Sequence, residues 1–338
     1  MHTLRSKLNV VLVTFVLTAG LGASVSAAAA GSGLLLVANK ANHSISMVDP
    51  LTGQETGTIG EDAVTGHELV ATADGKRAFV PIYGNSGVGQ PGTDGSLIRV
   101  LDLERRTISG TIDLGHGTRP HCAVFGPRDR PLYVTTELDE TVTIIDPQTL
   151  KIIGTIPTGQ PESHMLAISH DGHRAYTANV GSGTVSILDL DKRNLVATVK
   201  VAPTIQRIAV SADDRWIITA DQSAPRLIVL AAADNRIRAT IDLPAVAYGT
   251  AATPDGRSLI VAMPSLNQVG LVDLGTMKWV KSVAVPLAPQ EVLVEPKGAT
   301  AYVSCDHSGE VVAIDIAGWR LDQHIKVGPG ADGLAWAR

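Results

Sequence analysis

The chain has 338 residues, with 28 Lys and Arg against 33 Asp and Glu, a formal net charge of −5, and the two signs are interspersed. No basic run offers the footprint that nucleic acid or an anionic lipid surface requires, so neither partner is expected. Apolar residues make up 44% of the sequence, ample for a core, while only 4% are aromatic, which leaves few rings for stacking on polysaccharide.

Residues 1–30 read as a signal peptide: a short basic start, "MHTLRSK", an apolar stretch from Leu8 to Val25, and small residues around Ala27 to Gly31 suited to cleavage. No stop-transfer run follows. The expectation is a periplasmic or secreted protein with no membrane span in its mature form, residues 31–338, and monomeric. Cys122 and Cys305 are the only cysteines. In an exported chain that number rules out a disulfide framework, and the two are expected as free thiols, Cys122 packed rather than ligating.

From Leu34 onward the chain repeats itself. A turn of the "ADG" or "PDG" type precedes an apolar strand at "TADGKRAFV", "GPRDRPLYV", "SHDGHRAYT", "SADDRWIIT", "TPDGRSLIV" and "EPKGATAYV". The last turn residues are Gly75, Asp129, Gly172, Asp214, Gly256 and Gly298, mostly 42 residues apart. A second marker agrees: the following strand ends in Asp49, Asp102, Asp146, Asp189, Asp273 and Asp315, with Ala231 in the missing place. Those carboxylates are assigned to turn hydrogen bonds. In one unit the strands read "HMLAIS", "RAYTAN", "TVSILDL" and "LVATVKV", rich in β-branched residues and separated by Gly, Asp and Asn. Seven such units predict an all-β, seven-bladed β-propeller with four-stranded antiparallel blades. The first unit lacks its innermost strand, and "GPGADGLAWAR" at the C-terminus supplies one, so that strand should close the ring on the first N-terminal blade.

The segments "LYVTTELDETVTIID", "AYTANVGSGTVSILD", "LLVANKANHSISMVD" and "AYVSCDHSGEVVAID" resemble the YVTN repeat of secreted or periplasmic seven-bladed propellers, a lactonase-like family. The resemblance spans the mature chain. It implies a fold far more than a chemistry, since relatives at that level include lactonases, lyases and proteins without an assigned reaction. The local motifs carrying the lactonase catalytic residues are not matched here, and none is carried over.

Aligning the units on the turn puts His67, His121 and His164 at one repeat position, the top of the innermost strand, with Gln206, Tyr248, Gln290 and Asp332 at that position in the other blades. His67, His121, His164, Gln206 and Asp332 are the candidate metal ligands, a set suited to Zn, Mn, Fe or Cu with a position open for water or substrate. A wet channel mouth is also polar without any metal. His43, Glu68 and Tyr248 are candidate proton-transfer groups. Glu137, Asp221, Asp306 and His307 on the same face are candidates for an outer shell or a pocket lining, with turn or rim polarity as the default reading. His170 and His173, adjacent to His164 in sequence, flank the bottom turn and should face solvent on the other side. The insertion Gly84–Gly95 in blade two is a candidate flexible cover for the mouth.

Two functions follow. One is a metal-dependent hydrolase or lyase acting on a small oxygenated molecule such as a lactone or uronate. The other is a non-catalytic binding or scaffold propeller, or a cofactor-free subunit partnering another periplasmic protein. Haem carriage is disfavoured because "CxxCH" is absent.

Overall fold

The structure, a computed structural model, describes residues 33–85, 87–127 and 131–338. The expected signal peptide and the turn residue Asp129 lie outside them. The described strands form seven four-stranded sheets, each antiparallel throughout, with inner strands of neighbouring sheets in contact around the ring: a seven-bladed β-propeller. No helix among the described residues is long and apolar enough to cross a membrane.

Burial explains the repeat. In blade four, Arg174–Asn179 and Thr184–Asp189 lie between neighbours on both faces and are almost wholly buried, whereas the outer strand Asn194–Lys200 alternates exposed and half-buried residues. The first kind of strand reads as a continuous β-branched run and the second as an alternation. In every blade the pairing of the two outer strands carries a register shift, which adds twist where the blade reaches solvent.

The turn between first and second strands is a built motif. Thr72, Ser169, Ser211 and Thr253 each donate a hydroxyl to the Asp two residues on, at 2.6 Å. The turn then ends in the left-handed region at Gly75, Gly172, Asp214, Gly256 or Gly298, which is why glycine dominates that position. The third-strand aspartates behave as expected: Asp49, Asp102, Asp146, Asp189 and Asp273 accept backbone N–H groups of the following turn. Asp315 instead pairs with Arg320.

Blade one is closed as the repeat requires. Ala331–Ala337 is its innermost strand, paired with Leu34–Asn39 from Leu34 opposite Ala337 to Asn39 opposite Ala331. Cys122 and Cys305 are buried free thiols, and burial pushes both above their ordinary pKa.

A Cβ at Gly333 on the closing strand would stand 2.3 Å from the His67 carbonyl oxygen, whereas at Gly256 it meets nothing nearer than 3.8 Å and pays only the left-handed backbone. Gly256→Ala is therefore expected to cost about 1–2 kcal/mol. Gly333→Ala must displace backbone and should lower the thermal midpoint further; a smaller loss than for Gly256→Ala in parallel melts would contradict this packing.

Candidate functional site at the channel mouth

The inner strands carry a repeated irregularity where they reach the channel mouth. Register shifts fall at Ser163/Met165, Ile205/Ile208, Pro289/Val292, Pro120/Ala123 and, on the closing strand, beside Asp332 and Gly333. In blades two and six the regular inner strand, Val70–Ala71 or Thr250–Ala252, begins only beyond this point. A bulge releases two consecutive side chains from strict alternation. Two tiers result: His67, His121, His164, Gln206, Tyr248, Gln290 and Asp332 above, and the next residue of each blade below.

A cavity of about 280 Å³ opens among the upper tier. His67, His121, His164, Gln206, Tyr248 and Asp332 all line it, so six of the seven side chains that the repeats align meet at one cavity. Tyr83, Lys40 and Arg207, which the repeat alignment did not single out, line it as well. His121 and His164 stack with ring centroids 3.6 Å apart, and His67 lies 5.7 Å from His121. Burial lowers the pKa of His67 to about 4 against an opposing pull from Asp332, and burial followed by the two neighbouring imidazoles holds His121 well below the ordinary histidine range. Both are neutral imidazoles at neutral pH, the form that ligates metals. Among the described residues, the Nδ1 of His121 is buried without a hydrogen-bond partner, as is Oδ1 of Asp332.

Glu137 is the main departure from the rim assignment. It begins a short 3-10 turn, Glu137–Asp139, after the second strand of blade three, and is buried. One carboxylate oxygen is hydrogen-bonded to His164 Nδ1 and the other accepts from the Tyr83 hydroxyl at 2.8 Å. The same repeat position carries Lys40 in blade one and Asp306 in blade seven. There Lys40 bridges Asp306 at 3.0 Å and Asp332 at 3.2 Å. Charged residues at that position were the available signal.

The lower tier holds Glu68, Cys122, Met165, Arg207, Gly249, Glu291 and Gly333. Arg207 of blade five reaches across the channel to Glu68 of blade two at 2.8 Å and Glu291 of blade seven at 2.5 Å, and its guanidinium lies 4.4 Å from the Tyr248 ring centroid. Burial works against the Arg207 charge, and Glu291 and Glu68 outweigh it. Burial in turn raises both glutamates, Glu68 further because Glu291 is beside it. Glu68 is thus part of a buried ionic floor and does not line the cavity. His43, the other candidate, is exposed, bonds Thr65 at 3.1 Å, and does not line it either. Tyr248 does, accepting from Gln206 Nε2 at 2.9 Å. Gln290 is absent from the lining, His307 stands exposed beside Asp306, and Asp221 caps its own turn. His170 and His173 are exposed and bond Asp214 and Asp191 at the opposite turn, as expected.

The insertion is tied down. Arg119 of blade three donates to Asp94 at 2.6 Å and to the Gln90 carbonyl at 2.8 Å, and Gly87 and Val88 line the cavity. Ser86 lies outside the described residues.

Among the described residues, no group of three or more His, Cys, Asp or Glu side chains already stands in an arrangement that encloses a metal ion.

The Cytochrome D1 heme domain family matches residues 128–267, less than half of the chain. Antigen Lp49 of Leptospira interrogans is 24% identical over 178 residues, and the uncharacterized protein YncE of Salmonella typhi 25% identical over 211. These matches take in 50% and 61% of this chain but only 38% and 58% of the relatives' lengths. In three dimensions the chain is similar to the Kuenenia stuttgartiensis hydrazine synthase structure, with a TM-score of 0.73 and 19% identity over 85% of this chain and 93% of that one. A functionally unknown protein from Desulfotomaculum acetoxidans gives 0.74 at 14% identity, over 91% and 99%. The chain is a propeller, and this likeness carries the fold alone.

Arg207→Met would leave Glu68 and Glu291 buried without their cation. The expected loss is about 3–5 kcal/mol at pH 8. It should shrink at pH 5, because carboxyls whose folded pKa is raised add stability below their unfolded pKa and lose it as pH rises. Urea unfolding at both pH values checks this; equal losses would reject the floor as described.

Proposed function

We propose that this is an exported, YVTN-type propeller that binds a divalent transition metal through His67, His121 and His164 at the mouth of its channel, next to space for a small molecule. The observation that carries the reading is the convergence of these three side chains on one cavity, with His67 and His121 held neutral and His121 Nδ1 left unpartnered. Neutral imidazole is the ligand form, so protons compete weakly with a metal here. Binding requires one ring of the His121–His164 pair to rotate off the stack.

Gln206 and Asp332 flank the imidazoles. Gln206 now presents its amide nitrogen to His164 at 3.1 Å, so ligation through its oxygen needs the amide to turn over. Asp332 is held by Lys40 through Oδ2, and its Oδ1 is buried without a partner among the described residues. When bound, Zn, Mn, Fe or Cu would supply Lewis acidity and lower the pKa of a coordinated water. Tyr248, which lines the cavity over Arg207, is the residue placed to exchange a proton with a bound molecule. A hydrolytic or lyase reaction on a small oxygenated substrate, lactonase-like or uronate-directed, is the chemistry such a set serves.

Metal-stripped protein incubated with each of the four cations and then desalted should retain about one equivalent of at least one of them. His121→Ala should abolish retention and exposed His170→Ala should not. Because His67 titrates near 4, retention should persist at pH 5.5, where ordinary histidine sites begin to release metal. Less than about 0.1 equivalent in the unaltered protein would remove the metal site and leave a non-catalytic binding propeller or a subunit of a periplasmic complex.

A further inference from the structure

We infer that Glu137 is the positioning residue of the mouth: its carboxylate locks the His164 imidazole in the Nδ1–H tautomer and so turns the Nε2 lone pair toward Gln206 and the cavity.

The hydrogen-bond chain leaves one consistent assignment of protons. Glu137 is buried, and a buried carboxylate needs donors on its oxygens. The Tyr83 hydroxyl supplies one, and among the described residues His164 Nδ1 is the only group bonded to the other oxygen. Nδ1 therefore carries the proton, and Nε2 carries the lone pair. On its far side, Gln206 Nε2 stands 3.1 Å from His164 Nε2 and 2.9 Å from the Tyr248 oxygen. An amide nitrogen has two hydrogens, and these two acceptors take both. With the Gln206 amide oriented as it stands, the opposite tautomer would set two N–H donors against each other there and leave Glu137 Oε1 without a donor.

The arrangement is assembled across the fold. Tyr83 comes from blade two, Glu137 from blade three, and His164 from blade four, so no local turn pattern accounts for it. His121 offers the contrast within the same site: it has the same repeat position and an equally buried ring, but its Nδ1 has no partner. The carboxylate thus distinguishes His164 as the imidazole of the three whose Nδ1 is hydrogen-bonded to a carboxylate, His67 Nδ1 standing 3.6 Å from Asp332, and so the one whose outward nitrogen has a set direction for a ligand or a proton. Carboxylates placed behind a histidine in this way orient the ring and raise its basicity.

The tautomer inference stands on these contacts alone; its consequence for a metal rests on the preceding reading. The test uses the intact, metal-stripped protein with ¹⁵N-labelled histidine. Long-range ¹H–¹⁵N spectra should show His164 as the Nδ1–H tautomer, and Glu137→Gln, which keeps the shape and removes the charge, should bring in the Nε2–H form, with Glu137→Asp preserving the original better than Gln does. Tyr83→Phe, which keeps the His164 contact, should leave the tautomer unchanged. Where Zn binds to the unaltered protein, Glu137→Gln should weaken it about 10- to 100-fold. A His164 that stays wholly Nδ1–H in Glu137→Gln, or that is Nε2–H in the unaltered protein, overturns the inference. Zn retention without any tautomer change in the variant overturns it too, whereas a tautomer change in a protein that binds no metal upholds it and sinks only the metal site.

Discussion

Everything at the channel mouth depends on pairing between the two ends of the chain. Ala331–Ala337 zips onto Leu34–Asn39, and without it blade one would lack its inner strand and the ring would carry two open edges. The same strand delivers Asp332 to the upper tier and Gly333 to the lower one. Gly333 N–H donates to the His67 carbonyl at 2.9 Å, so the closing strand also holds the backbone that carries the first imidazole. Ring closure and site construction are one event.

The second organising feature is the bulge at the top of the inner strands. Strict alternation would give each blade one side chain in the channel at that height and turn the next away. The register shift lets both face inward, and the two tiers acquire different chemistry. The upper one collects three imidazoles, an amide, a phenol and a carboxylate around a cavity. The lower one collects charge, with Arg207 stretched between Glu68 and Glu291. A guanidinium paired to two carboxylates is strongly held, and Arg207 lines the cavity from below. Buried ionic clusters of this kind add little net stability compared with apolar packing.

Much of the fold was legible because a propeller repeats its physics. Each blade needs the same left-handed turn, the same doubly buried strands and the same half-exposed edge, and spacing alone displays these. The ring His67, His121, His164, Gln206, Tyr248 and Asp332 was legible for the same reason: repeat position maps onto height and direction in the channel. The misses share a cause too. Glu68 shares the top of blade two with His67, but the bulge turns it onto Arg207. Glu137 looked like a loop carboxylate, since nothing in "ELDE" indicates that Tyr83 and His164 will converge on it from either side. His43 sits in a turn beyond the cavity's reach.

What the sequence determined by itself is the number of blades, their strand order, the closure, and which side chains share a level. These follow from local propensity repeated at a fixed period, which neighbouring blades cannot override. Tertiary structure alone decided which of those side chains touch. The contacts of Arg207 with Glu68 and Glu291, of Glu137 with His164, and of His121 with His164 all run between blades. They depend on distances across a channel whose width is set by seven packed sheets, and no segment of the chain encodes that width.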